Sequence, residues 1–338
     1  MQAHPADTKP RTPAKLNTGY LALATGVLGT SAASLFYKLS FATGLHPLWV
    51  NALRLLITLL LMAPLTFASR KRREALMGTL APKPEQKAQP AAATLGRRVK
   101  RMWASRQGFW ISALSGTLLA FHFTAWALAL EHTDVFAASA IWGTYLLMTA
   151  ALSVWLLHEK TSRGTLTGMV IATVGVLVCN MDGGPGKLGG NLLALLAALL
   201  QALYTLCGRK ARAYLDTNTY TSIVYTFTFF WMAVILLLFR IRPTGFQAQN
   251  LLWAAGLAVF ATLLGHTMLS VSLKYFKAPT VSAVMLITVG TAPLPVLLVL
   301  GDAPTAHTLI GGCIILLGLA WYLWMEHRER AALQKAEA

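Results

Sequence analysis

Charge is scarce in this chain: Asp and Glu number 12 in 338 residues, and all charged types together make up 12% of it. An average soluble domain carries about twice that share, so an ordinary water-exposed globule is excluded. A hydrophobic content of 56% and a mean hydropathy of +0.56 make a bilayer the natural solvent. Cysteine is rarer still. Cys179, Cys207 and Cys313 share no C-x-x-C spacing, which excludes a disulfide or zinc framework and leaves them as small buried apolar residues. H-E-x-x-H and G-x-S-x-G are missing from the apolar stretches, and no Asp or Glu falls in the middle of one. An intramembrane enzyme and a carboxylate proton relay therefore lack their residues, and no cofactor or metal is expected.

What the chain has instead is a succession of apolar runs. A bilayer core about 30 Å thick needs roughly 20 residues per helix. Ten runs near that length cover 18–37, 47–69, 108–130, 135–157, 165–181, 189–207, 218–239, 250–273, 279–300 and 305–325. They are continuous and rich in Leu and Ala, whereas barrel strands alternate over about 10 residues. The expected fold class is an all-α integral membrane protein with ten transmembrane helices.

The net charge of +17 and pI near 10.2 raise the question of nucleic acid. The basic residues lie between the runs, with no basic groove or stacking aromatics on a soluble module, so nucleic acid is not an expected partner. With a cytoplasmic N-terminus, twenty-four of the 29 Lys and Arg fall on the cytoplasmic side and four on the other, while Arg54 lies inside a run. The positive-inside rule then places both termini in the cytoplasm and the protein in the inner (plasma) membrane. Polar residues 1–17 and 327–338 read as tails. The segment 70–107, with SRKRRE and RRVKRMW at its ends, reads as a flexible basic loop lying on anionic headgroups.

An internal repeat organises the rest. At an offset of 143, Ser139 and Ala140 meet Ser282 and Ala283, Glu159 meets Asp302, Gly168 meets Gly311 and Gly175 meets Gly318. Spans 1 and 6 align at 171, with Gly19 on Gly190 and Lys38 on Arg209. The expected domains are repeats over 18–181 and 188–326. Five spans per repeat is an odd number, so the second repeat must enter the membrane from the opposite side, a recurring plan among transporters.

The segments HPLWVNALRLLITLLL and HEKTSRGTLTGMVIATVGV, with the counterpart GDAPTAHTLIGGCIILLGL, resemble the ten-helix members of the drug/metabolite transporter superfamily that carry two EamA-type domains. The resemblance spans about 20–325. It implies a central cavity between spans 1–4 and 6–9, with spans 5 and 10 set apart as scaffold or dimer contact, hence a monomer or homodimer. Span 4 lacks the proline expected at its middle, and the position equivalent to Arg54 is Tyr225.

Arg54 is the one full charge well inside a span, where it costs roughly 2.5 to 3.5 kcal/mol and needs a partner. Two roles fit it: holding a substrate carboxylate in a wet cavity, or satisfying carbonyls at a helix end. His122 and His266 sit one residue from strict repeat register and fit either a polar substrate contact or a bond to a neighbouring carbonyl. Trp126, Trp142, Tyr145, Tyr204, Tyr225 and Met285 are candidates for an apolar wall, with Gln201 as a polar exception. Pro293 and Pro295, beside Gly290, should bend span 9 and make a hinge. Gly168, Ala172 and Gly175 make a smooth face for close helix approach. Glu159 and Asp302 are expected to cap the helices that follow.

The reading these features favour is a secondary transporter of small organic metabolites, preferably an amino-acid exporter, working by alternating access. A multidrug or cationic-compound efflux protein and a non-transporting receptor or assembly subunit are the alternatives. One Arg is too little cation for phosphorylated substrates.

Overall fold

The computed structural model describes residues 13–79, 91–157, 163–179, 181, 185–211, 214–272, 275, 281, 284–285 and 287–337, and every regular element among them is helical. In chain order these are α1 (Pro13–Ser31), α2 (Ala33–Phe41), α3 (Pro47–Thr79), α4 (Ala91–His132), α5 (Val135–Gly143), α6 (Tyr145–Leu157), α7 (Arg163–Cys179), α8 (Pro185–Ala211), α9 (Thr217–Leu238) and α10 (Gln249–Gly256). A π-helical segment, Leu257–Thr267, follows, and then α11 (Met268–Ser272), α12 (Ile287–Thr291), α13 (Leu294–Leu300) and α14 (Ala306–Glu337).

Among the described residues seven helices are long and apolar enough to cross a membrane: Asn17–Phe41, Pro47–Pro64, Arg106–His132, Lys187–Ala211, Thr217–Leu238, Gln249–Ser272 and Ala306–Glu329. Three shorter apolar helices cover Val135–Thr149, Leu166–Val178 and Ile287–Leu300. All-helical structure is what a bilayer enforces, since each backbone group then finds its partner within its own segment.

Several expectations need correction. The segment 70–107 is helical as far as Thr79 and again from Ala91. Its Ala, Leu, Arg and Lys are good helix formers that prolong helices already nucleated in the spans. The final helix likewise continues through 327–337. Among the described residues Asp302 caps no helix. It pairs with Lys38 at 3.7 Å, while the Thr305 hydroxyl accepts the Thr308 N–H at 3.2 Å and starts α14. The side chains of Asp134 and Asp216 cap α5 and α9 by accepting from Ala137 N at 2.7 Å and Thr219 N at 3.1 Å. Glu159 lies outside the described residues. Cys313 is exposed and Cys207 half-buried, so neither is a core residue.

Helix pairing is unchanged when equivalent spans of the two repeats are exchanged. The α4–α8 contact is answered by α1 against the π-helical segment, and α4–α9 by α3 against α10 and the π-helical segment. The α6–α8 contact is answered by α1–α12, while α3–α9 and α7–α14 answer themselves. In the last of these, a Cβ on Gly318 would lie 2.5 Å from Ala172 N and 2.7 Å from Gly168 O, and one on Gly175 would lie 2.7 Å from Gly311 O. Only hydrogen at these positions lets the two backbones touch. Because 168 meets 318 while 175 meets 311, α7 and α14 run antiparallel.

Candidate functional site

Arg54 is buried to 2% exposure on α3, a turn after Asn51. Its Nε donates to Thr262 Oγ1 at 2.7 Å and its Nη1 to the Tyr37 hydroxyl at 2.9 Å. Tyr37 donates its own proton to Asn51 Oδ1, and Asn51 Nδ2 donates to the Phe123 carbonyl at 2.9 Å. The guanidinium carbon stands 4.1 Å from the centre of the Phe123 ring. All these partners are neutral. Nη2 donates to no group among the described residues, and the ion pairs there involve Lys38 and His132 instead. Hydrogen bonds to a charged group contribute about 1.5 to 3 kcal/mol each, which holds the side chain in place without neutralising it.

The π-helical segment supplies the Thr262 contact. Thr262 Oγ1 donates to Leu257 O at 3.2 Å, five residues back, leaving its lone pairs to Arg54. The same segment carries His266, whose ring centre is 5.4 Å from that of Phe123 and 6.5 Å from that of His122. His122 Nδ1 lies 2.8 Å from the Ala197 carbonyl. A carbonyl only accepts, so Nδ1 carries the proton and Nε2 of the neutral ring is an acceptor.

Arg54, Tyr37, His122, Phe123 and His266 border a cavity that is open on one side. Equivalent positions of the two repeats face it together: Thr30 and Gln201, Phe123 and His266, Trp126 and Leu269, Trp142 and Met285. Among the described residues, three buried polar atoms on its wall have no hydrogen-bond partner, namely Ser34 Oγ, Ser139 Oγ and Gln201 Oε1. Such atoms are costly unless water or a ligand completes them.

Of the residues singled out from sequence, Arg54, His122, Trp126, Trp142, Gln201, His266 and Met285 line the cavity. Tyr145 stands behind the wall with its ring 4.7 Å from Trp142, and Tyr204 lies 6.4 Å from His266. Tyr225 is buried in the contact of α9 with the π-helical segment, its hydroxyl 3.1 Å from Thr267 Oγ1. Span 9 is interrupted at Ala292–Pro293, between α12 and α13, with Gly290 before the break and Pro295 after it. Asn51, Thr262, Ser34 and Ser139 escaped the sequence reading. Ser139 alone left a signal there, as an identity in the repeat.

On the side of the α2–α3 turn, contacts between the repeats close the molecule. Lys38 meets Asp302, Trp49 Nε1 donates to Ile241 O at 3.0 Å, and Asn250 Nδ2 donates to Thr43 Oγ1 at 2.8 Å. Thr133 donates to Asn191 at 2.7 Å and Thr308 to Asp134 at 3.1 Å. Gly44 and Gly245, both at positive φ, cross there so closely that a Cβ on Gly245 would sit 2.5 Å from the Gly44 carbonyl carbon.

Apolar helices of membrane length around a polar-floored cavity define a multi-pass membrane protein with a small-molecule site. The sequence pattern of the EamA-like transporter family matches residues 17–181 and 188–324, and the chain belongs to that family. It is thus a transporter of the inner membrane and not an enzyme. It is 25% identical over 235 residues to an uncharacterized transporter of Clostridium kluyveri, covering 65% of this chain and 74% of that one. The uncharacterized transporter YetK of Bacillus subtilis is 27% identical over 143 residues, 40% of this chain and 43% of YetK. A protein of known crystal structure shares the fold at a TM-score of 0.55 and 17% identity, over 90% of this chain and 98% of the other.

Proposed function

We propose that the protein is a secondary transporter that exports amino acids or related small metabolites by alternating access between two inverted five-helix halves. In this reading it has ten spans and both termini are cytoplasmic. The observation that carries the substrate class is Arg54: a buried guanidinium with neutral partners and a free Nη2 at the cavity is a seat for a carboxylate. The acceptors left over, His122 Nε2, Ser34 Oγ, Ser139 Oγ and Gln201 Oε1, suit an ammonium group. Trp126, Trp142 and Met285 suit an apolar side chain.

The crossed glycine contacts of antiparallel α7 and α14, and a pairing of helices that survives exchange of the repeats, support inversion about an axis in the membrane plane. The same axis passes near the cavity, whose walls come in equivalent pairs. The aromatic wall also suits multidrug efflux, but an uncompensated Arg repels the cations that such proteins take. Without a carboxylate in the middle of a span, transport runs down the substrate's own gradient.

Flux into proteoliposomes from a panel of amino acids, nucleosides and cationic dyes tests the proposal. Amino acids should be carried, their amides and esters less well, and the dyes not at all. Carriage of the dyes without amino acids would overturn it. So would accumulation above equilibrium that needs a pH gradient and is lost in His266→Ala, which would replace the facilitated mechanism. For topology, reporters fused near Pro90 and near Gly184 should report opposite sides of the membrane, and matching sides would refute the ten-span arrangement.

A further inference from the structure

We infer that the protein works as an exchanger, in which the empty cavity retards its own reorientation and a carboxylate carried on the return stroke releases it. The inference rests on the reading of Arg54 as a carboxylate seat and adds a consequence of what surrounds that seat.

Arg54 is held from both repeats: Tyr37 and Asn51 belong to the first, and Thr262, on Nε, to the second. When one repeat moves against the other, the Nε–Thr262 bond is strained or lost just as closure of the cavity thins the water around Nη2. A charge left in that state without a counter-ion costs several kcal/mol. No protein group supplies one. Every Asp and Glu of the chain lies at the end of a span or beyond it. Asp302 is engaged by Lys38, Glu131 stands beside His132, and Asp134 and Asp216 cap helices. Tyr37 keeps its proton in the bond to Asn51 and offers no charge.

With a carboxylate bound, the two N–H groups of Nη2 and the second of Nη1 have an anionic acceptor, and the moving core is neutral at that point. The loaded carrier therefore crosses the occluded state more easily than the empty one. The slow step of net flux becomes the empty return, and a substrate waiting on the far side removes it.

The experiment uses the full chain in proteoliposomes and the initial uptake of a radiolabelled mixture of proteinogenic amino acids. The lumen contains sodium sulfate alone, the unlabelled amino acids, their amides, or sodium chloride. Unlabelled amino acids in the lumen should accelerate uptake at least about tenfold over sulfate, the equivalent of a barrier difference of about 1.4 kcal/mol. Amides should give little acceleration. Equal rates with an empty and a loaded lumen would overturn the inference while leaving the transporter reading intact. Acceleration by the amides or by chloride as large as that by the amino acids would overturn it too, since the carboxylate would then not be the releasing group. Uptake of no amino acid in any arm would refute the substrate reading and the inference with it. In Arg54→Gln the ratio of exchange to net flux should collapse toward one even as both become slower, and an undiminished ratio in folded protein would count against the inference.

Discussion

The two repeats build one cavity from equivalent positions but furnish it differently. The first supplies Arg54, with its neutral bracket Tyr37 and Asn51, and the rings of Phe123, Trp126 and Trp142. At the matching places the second supplies His266, Leu269 and Met285, while Tyr225, the counterpart of Arg54, is buried in the packing behind the cavity. At the shared wall positions the repeat sets where side chains point, and divergence sets what they are. On the function proposed above, such a site would hold a substrate in one orientation, its charged end set by one half and its apolar end shared.

The comparison breaks most completely at Arg54. Arg54→Ala should lower flux at limiting substrate by roughly a hundredfold, the equivalent of about 3 kcal/mol for lost charge-assisted bonds. Lysine should rescue it only in part, since an ammonium cannot reach Tyr37, Thr262 and a ligand together. Flux per molecule of folded protein is the measure, and the preference for amino acids over their amides should shrink in parallel.

Next in size is a place where the repeats match in chemistry as well as position. Gly318→Val would drive a side chain into the backbone of Ala172 and Gly168, and should cost about 2 kcal/mol of stability in a thermal melt of the purified protein. Gly290→Ala is the contrast, because among the described residues nothing lies within 4 Å of the new methyl group, so the melt should not fall. A smaller effect is expected from exchanging wall residues across the repeats. Trp142→Met and Met285→Trp should each raise the apparent KM several-fold, and the double exchange should recover part of it, a coupling that a double-mutant cycle would detect. The smallest belongs to the Lys38–Asp302 pair, with side chains 23% and 38% exposed. Removing either should change stability by about 0.5 kcal/mol or less, with the difference vanishing at high salt.

Sequence patterning made the helices legible because a bilayer leaves few alternatives, and it made Arg54 legible because a lone charge in an apolar run stands out. What surrounds Arg54 was not legible. Thr262 comes from a helix 208 residues away, and a threonine in an apolar helix is unremarkable until its partner is known. The π-helical turn that presents it leaves the apolar composition of the span unchanged. Ser34 and Ser139 matter through bonds they do not make, which composition cannot register. Tyr204 and Tyr225 showed the converse: aromatic character on the right helices, but faces turned into the packing behind the cavity. Thr144 interrupts span 4 between α5 and α6 without the proline that the family resemblance led one to expect there.

The crossed glycines of α7 and α14 also say where the machine can turn. Side chains that interlock must climb over one another when helices slide, and four glycines meeting backbone to backbone, with Ile315 and Tyr322 seated on them, leave few such obstacles. None of them borders the cavity. If the two halves rock as proposed, a joint that close would serve as an axle, a small rotation there leaving it unchanged while the cavity walls swing apart.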